Sequence, residues 1–348
     1  MRNIFQTIMI SSLALLLLVS TNASGQRLGS NAADELLIPV GARYFAMGGG
    51  SIANAVGIES IYWNPAGLVK SEFTTTAMFS HMAYFIDSDV NYLAGATSFE
   101  GFGSIGLSMK ILNLGEIPIT TIDAPDGTGE LFSPQYITAG LTYSRALTDK
   151  VAVGGTANFI SESIDRVNAS GLSFDFGVQY ADLGNIQGLD LGVAIKNFGS
   201  GITFDGTGLQ HSQASLDDVA RTESQIALIA GTDELPSRFE IGLGYTKSID
   251  EQSKVTLNGM FQNNDFADDL AILGAEYALN DMFFLRGGYG LSTEGSEDAT
   301  GQSTNIFGLT AGAGLKYNVG GTTLIIDYAY RSTDFFNANN VFSFRFGL

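Results

Sequence analysis

The sequence contains no cysteine and only 2 histidines among its 348 residues. Without cysteine, the folded chain must be stable without disulfide bonds. Two histidines leave little material for a Ser-His-Asp arrangement, and no spacing of acidic residues predicts a metal site. We therefore expect no enzymatic activity, no cofactor and no bound metal.

Basic residues are scarce as well. The chain has 17 Lys and Arg against 36 Asp and Glu, which gives it a net charge of −19. Nucleic-acid binding depends on Lys and Arg side chains that neutralise phosphates. The charge balance therefore argues against a nucleic-acid partner.

Long apolar runs are missing after the first residues. One such run, Ile8–Val19, follows Arg2 and precedes the small and polar residues 20–26. This order is typical of a secretory signal peptide, and the run is too short to span a bilayer as a helix. We predict that residues 1–25 are a signal peptide and that no transmembrane helix follows them.

What the chain does have is a repeated alternation of apolar residues with polar or small ones. Within 305–317, for example, Leu309, Ala311 and Ala313 alternate with Thr310 and Gly312. A period of two is that of a β-strand, and about ten residues suit a tilted membrane-spanning strand. We predict fourteen strands, near residues 73–82, 90–99, 102–111, 136–145, 150–160, 170–180, 189–198, 237–247, 253–262, 269–277, 281–290, 305–317, 321–331 and 341–347.

The connections between these strands run long, short, long, short to the end of the chain. The short ones include Glu100–Gly101 and Ala278–Asn280, and the long ones include 112–135, 199–236 and 291–304. Outer-membrane barrels have short periplasmic turns, long extracellular loops and an even number of antiparallel strands. We predict an all-β fold, a transmembrane antiparallel barrel of about 14 strands over residues 71–348. It would lie in the lipid of a bacterial outer membrane, with residues 199–236 outside the cell.

Residues 26–70 precede the first predicted strand and lack the alternation. They contain glycine clusters and the only Trp of the chain, Trp63. A barrel lumen with many glycines has room for such a segment, so we predict an N-terminal plug with a rigid turn at Asn64–Gly67. Its candidate functional residues are Arg43, Met47, Gly48, Gly49, Trp63, Asn64, Pro65, Ala66 and Gly67.

The stretch GARYFAMGGGSIANAVGIESIYWNPAGL, residues 41–68, resembles the N-terminal signature of the PorV/PorQ family, within the FadL-like group of outer-membrane barrels. The WNPAG core is the most specific part of the match. Two departures are Gly57–Glu59, where members often carry an acidic pair, and an end at Leu348 rather than at an aromatic residue. The resemblance implies a fourteen-stranded barrel with an N-terminal hatch. In FadL-type members the hatch gates the diffusion of hydrophobic compounds, whereas PorV-type members receive cargo of type IX secretion.

Charged residues of both signs fall on the polar faces of the predicted strands. Confined charges are costly unless they are paired, so we expect these side chains to pair with one another or with the plug, and a solute path is the alternative. They are Lys110, Asp175, Lys196, Glu240, Glu276, Arg286, Lys316, Asp327 and Arg345.

Aromatic residues in the predicted outer loops, namely Tyr84, Phe85, Phe335 and Phe336, are candidates for contact with a partner. The predicted inward faces are mostly Gly, Thr, Ser, Asn and charged residues, which would repel a fatty acyl chain. We therefore expect a PorV-like component of type IX secretion that binds a protein partner or exported cargo. A FadL-like channel for a hydrophobic small molecule is the alternative, and a structural barrel without cargo is a third candidate.

Overall fold

The computed structural model describes residues 31–214, 223–293, 307–333 and 337–348. The predicted signal peptide, residues 1–25, lies outside the described residues, and so do Phe335 and Phe336. In the part of the chain that is described, no helix is long and apolar enough to cross a membrane.

Fourteen antiparallel strands form one closed barrel, in which each strand pairs with its neighbours in sequence and the last pairs with the first. This confirms the predicted fold class. The strands are β1 Thr75–Ala83, β2 Asp89–Phe99, β3 Gly103–Asn113, β4 Gln135–Ala146, β5 Val151–Ile164, β6 Val167–Tyr180, β7 Leu189–Gly199, β8 Arg238–Ser248, β9 Ser253–Asn264, β10 Leu270–Leu279, β11 Phe283–Ser292, β12 Phe307–Val319, β13 Thr322–Thr333 and β14 Asn339–Gly347.

In the barrel, apolar side chains face outward and charged side chains face inward, which is the reverse of their distribution in a soluble protein. Leu273, Leu285 and Leu309 on the outer surface are 63–66% exposed, whereas Glu276 and Arg286, on the same strands, are buried inside. A barrel in lipid requires apolar residues outside and tolerates polar ones in its lumen. Alternation with period two achieves this on every strand, because successive side chains point to opposite faces.

The connections follow the predicted alternation with one correction. The link between β5 and β6, predicted to be long, is a turn of Asp165 and Arg166, because both strands continue past their predicted ends and pair as far as Ile164 and Val167. Asp165 adopts a φ of 50°, which a tight turn requires and which Asp tolerates. The longer connections carry small two-stranded sheets of their own, such as Ile117–Pro118 with Leu131–Phe132.

The segment before β1 lies inside the barrel. It contains five short helical turns, and its apolar residues pack against inward side chains of β1–β3, β13 and β14. These turns are Asp34–Leu37, Ala42–Phe45, Gly57–Glu59, Ser60–Trp63 and Pro65–Lys70. We call residues 31–74 the plug. The boundaries 26–70 and 71–348 stay predictions, because the start of the segment lies outside the described residues.

Glycines on the inner faces of the strands make room for the plug. A Cβ atom at each of these positions would lie within 2.7 Å of a plug atom, closer than real Cβ atoms approach. Side chains there would expel the plug from the lumen, which explains their absence. These glycines are Gly106, Gly154, Gly177, Gly192, Gly274, Gly288 and Gly312.

Candidate functional site

The WNPAG turn is attached to the barrel through Asn64, whose side chain is fully buried. Its amide nitrogen Nδ2 donates to the carbonyl oxygens of Ile52 and Val178 at 2.9 and 3.2 Å. Its Oδ1 accepts from the backbone N–H of Ala66, so that Asn64 caps the helical turn that Pro65 begins. On the barrel side, the Ser144 hydroxyl donates to the Ala66 carbonyl at 2.9 Å. One residue thus caps the turn and anchors it to β6.

The Met47–Gly49 turn closes the lumen beside β10 and β11. The Met47 backbone rests on Gly274 and Gly288, which face each other across these two strands. Gly48 and Gly49 have φ of 70° and 87°, which favours glycine at both positions. Trp63 lies against Gly49 and donates from Nε1 to the Val40 carbonyl at 3.1 Å. The turn and the indole together form a barrier across this side of the barrel.

A chain of alternating charges joins the plug to the wall. From the plug, Arg43 contacts Glu276 at 3.0 Å, and Glu276 also contacts Arg286 at 2.6 Å. Asp327 binds Arg286 at 2.6 Å and Arg345 at 2.7 Å. Arg345 returns to the plug at Glu59, 2.8 Å away. Three Arg and three acidic groups thus neutralise one another in a confined space, as buried charge requires.

A second charge cluster surrounds the ring of Tyr62. Glu240 contacts Lys196 at 3.3 Å and Arg238 at 3.0 Å. The Lys196 ammonium lies 4.8 Å from the Tyr62 ring centroid and that of Lys110 lies 5.2 Å from it. Nearby, Asp175 accepts hydrogen bonds from the Asn158 side chain and the Asn197 backbone.

All nine predicted lumen-facing charges therefore point inward, and eight of them belong to these two groups. The ninth, Lys316, contacts Glu72 at 2.7 Å near the short-turn end of the barrel. The sequence analysis missed two further inward charges, Arg238 and Arg331. Arg238 lies at an even spacing from Glu240 on β8, and Arg331 lies at an even spacing from Asp327 on β13. Residues at even spacing share one face of a strand, so both could have been predicted. The sequence analysis also missed Glu59, because no strand pattern marks a plug residue.

A cavity of about 660 Å³, which we call the outer cavity, opens between the plug and the half of the barrel with the long connections. Seven residues supply polar groups at its wall, namely Asp34, Arg238, Gln262, Asn264, Asp268, Ser292 and Arg331. The wall is otherwise largely apolar, and Trp63 and Tyr62 from the plug contribute to it. Its further apolar residues include Leu37, Ile38, Met260, Phe266, Leu270 and Ile272. Sites for small molecules combine an apolar wall with a few polar groups in this way.

Two of the four aromatic residues predicted to contact a partner, Tyr84 and Phe85, lie beside this cavity. Tyr84 lines it, and its ring centroid is 4.1 Å from that of Phe85, which stacks in turn on Phe307 at 6.0 Å. The Arg331 guanidinium lies 3.6 Å from the Phe307 ring centroid. The structure therefore places Tyr84 in the wall of the cavity and Phe85 behind it, in contact with Tyr84 and Phe307.

The short-turn end of the barrel holds a second opening. It consists of two adjoining cavities of about 340 and 310 Å³, which share Arg43, Val56, Lys254, Asp281 and Phe284. We call the two together the vestibule. The Met47–Gly49 turn lies between the vestibule and the outer cavity, since Met47 lines the former and Gly48 and Gly49 line the latter.

No protein-family model matches the sequence, and no curated protein does. Solved structures match in fold. The Pseudomonas putida toluene transporter TodX aligns with a TM-score of 0.56 and 13% identity, over 88% of this chain and 98% of that one. The monoaromatic hydrocarbon channel CymD aligns with a TM-score of 0.54 and 13% identity, over 89% and 97%.

The chain is thus an outer-membrane β-barrel protein of fourteen strands, with the fold of these channels. Localisation in the outer membrane agrees with the sequence-based prediction. Membership of the PorV/PorQ branch stays a prediction.

Proposed function

We propose that this protein is a channel for hydrophobic small molecules, and that it carries out no chemical step on them. The observation that carries the proposal is the outer cavity, whose wall combines Trp63, Leu270 and Ile272 with a few polar groups. The likeness in fold to TodX and CymD supports the same conclusion, because both are named as transporters or channels of hydrocarbons.

The expectation that polar inward faces would repel a hydrophobic ligand does not allow for the plug. Leu37, Ile38 and Trp63 of the plug supply much of the apolar wall, and the loop residue Phe266 supplies more. A ligand in the cavity therefore contacts few of the Gly, Thr and Ser residues on the strands. For this reason we favour the channel over the secretion component.

Passage from the outer cavity to the vestibule requires movement of the plug. The Met47–Gly49 turn separates the two spaces, and its backbone contacts Gly274 and Gly288 without intervening side chains. Displacement of this turn from β10 and β11 would join the cavities along one wall. The charge chain through Arg43 and Glu276 lies next to the turn and opposes that displacement.

Trp63 provides a direct test, because it is the only Trp in the sequence and it lines the cavity. Bromobenzene, an apolar quencher, should reduce Trp63 fluorescence saturably in the purified protein. Ala267→Phe fills part of the cavity, so we expect about tenfold weaker binding, equivalent to about 1.4 kcal/mol. Ile122→Phe, at a fully exposed loop position, is the matched control. Quenching that does not saturate, or that is equal in both variants, would contradict the proposal.

Type IX secretion, with a protein partner, is the second candidate. It is favoured by apolar side chains at the outer loops, where Ile122 and Ile229 are almost fully exposed. Affinity purification from native membranes should then recover a protein with the wild type and lose it with Ile122→Ser/Ile229→Ser. Recovery of no protein with the wild type would remove this candidate.

A further inference from the structure

The lipid-facing wall of the barrel carries a groove of about 320 Å³ on β4–β6. Its floor is the outward face of β5, where Gly155 has no side chain and Ala157 has only a methyl group. Larger side chains flank this floor, because each floor residue has a bulky cross-strand partner on either side. These partners are Leu141 and Tyr143 on β4 and Phe174 and Phe176 on β6.

The packing of the barrel does not require a glycine at Gly155. An added Cβ atom would meet its nearest neighbours, the Asp175 carbonyl oxygen and the Phe176 ring, at 3.5 and 3.6 Å, which is ordinary contact. At Gly154, on the inner face of the same strand, an added Cβ would lie 2.4 Å from the backbone of Pro65. Gly154 is therefore explained by the plug, whereas the effect of Gly155 is to keep the groove open toward the lipid.

The wall of the groove on the β4 side is preformed. The Tyr143 hydroxyl donates to the Phe102 carbonyl at 2.7 Å, and the centroids of the two rings lie 5.2 Å apart. A side chain that is already held in this way loses little freedom when a ligand arrives, which lowers the free-energy cost of binding. A chain in the groove also contacts both flanks as well as the floor, so it gains more dispersion contacts than a chain on a flat face.

A cation lies at one end of the groove. Arg145 follows Tyr143 by two residues on β4, so it shares the outward face and lies about 7 Å further toward the short-turn end. Its side chain is exposed and forms no ion pair with any described residue, including Glu100 and Asp149 in the two adjoining turns. Arginine recognises phosphate groups well, because its guanidinium can donate two parallel hydrogen bonds.

We propose that the groove binds one phospholipid molecule, with its phosphate at Arg145 and an acyl chain over Gly155 and Ala157. Short turns of outer-membrane barrels face the periplasm, so the head group belongs to the periplasmic leaflet. The site lies on the outer wall of the barrel, and it does not rest on the proposed channel function.

Native mass spectrometry of the purified protein in an uncharged detergent tests the role of the phosphate. We expect one molecule of dioleoyl phosphatidylglycerol to bind at least about tenfold more tightly than dioleoylglycerol, equivalent to about 1.4 kcal/mol. Arg145→Gln should remove this preference. Lys247→Gln, at an exposed position near the same end of β8, should retain it. Equal binding of the two lipids by the wild type, or an unchanged preference in Arg145→Gln, would overturn the proposal.

A second pair of variants tests the groove itself. Gly155→Leu fills it, so we expect dioleoyl phosphatidylglycerol to bind about tenfold more weakly, again about 1.4 kcal/mol. Gly259→Leu is the matched control, since Gly259 lies on the outward face of β9 and the nearest atom to an added Cβ is 3.6 Å away. Equal weakening in both variants would overturn the proposal. So would a dimer of the wild type that Gly155→Leu dissociates, because the groove would then hold a second copy of the chain.

Discussion

Arg43 illustrates how one side chain connects the plug to the barrel. It follows Ala42, whose backbone N–H donates to Ser343 at 2.8 Å, and its guanidinium donates twice to the Glu276 carboxylate. Bidentate pairs of this kind are among the stronger hydrogen bonds in proteins. The resemblance marked Arg43 as part of a signature, whereas its partner Glu276 lies 233 residues away and only the closed barrel brings them together.

Arg43→Gln should destabilise the docked plug by about 1.5–3 kcal/mol, the range for hydrogen bonds to charged groups. Glu276 would retain its ion pair with Arg286 but would lose its ion pair with the plug. Guanidinium unfolding in lipid vesicles, followed by Trp63 fluorescence, measures the change. Arg166→Gln removes an ion pair whose Arg side chain is 69% exposed, so we expect an effect below about 1 kcal/mol there. Equal effects of the two substitutions would mean that the charge chain does not hold the plug.

β10 and β11 carry the contact on which closure depends. Gly274 and Gly288 are cross-strand partners, and both face the Met47 backbone. Neighbouring residues on each strand point into lipid, because side chains alternate between the two faces. The two strands therefore face the lipid on one side, and on the other side their two glycines contact the Met47–Gly49 turn.

Gly288→Val should loosen this seal, because its Cβ would lie 2.2 Å from the Met47 carbonyl carbon. We expect a severalfold rise in ion conductance of the protein in planar bilayers, since the turn must move away from the wall. Gly287→Val is the matched control. It lies on the outer face, where the nearest atom to an added Cβ is 3.8 Å away. Conductance that is unchanged in Gly288→Val would show that the seal lies elsewhere.

The whole molecule is asymmetric between its two ends. The connections at one end include the long segment between β3 and β4, with Ile122 fully exposed, and those at the other are short turns such as the one at Asp250. Tyr143, Tyr245, Tyr277 and Tyr317 all occur toward the short-turn end and are exposed on the outer surface. Aromatic residues of this kind mark a membrane interface.

This asymmetry predicts the orientation in the cell, and the absence of cysteine makes the measurement simple. Ile122→Cys should react with a membrane-impermeant maleimide in intact cells. Asp250→Cys should react only after the outer membrane is permeabilised. Labelling of Asp250→Cys alone in intact cells would reverse the orientation and place the vestibule outside.

Local sequence patterns were sufficient to predict the strands of the barrel, but they were insufficient to predict the contacts of the plug inside it. All fourteen strands could be predicted because alternation with period two is a pattern of neighbouring residues. Each strand has lipid on its outer side and the polar lumen on its inner side, so each strand shows the pattern independently of the others. The strand ends of β5 and β6 were wrong by up to four residues, since the tight turn at Asp165 depends on pairing that the alternation does not specify. The plug segment could be recognised, but its partners could not: Arg43 with Glu276, Asn64 with Val178, and Met47 with Gly274 and Gly288 are contacts over more than a hundred residues.

The outer cavity also depends on residues that are distant in sequence. Trp63, Met260 and Ile272 form one wall only after the barrel has closed around the plug, and for that reason the inward faces of the strands alone favoured the weaker of the two functions.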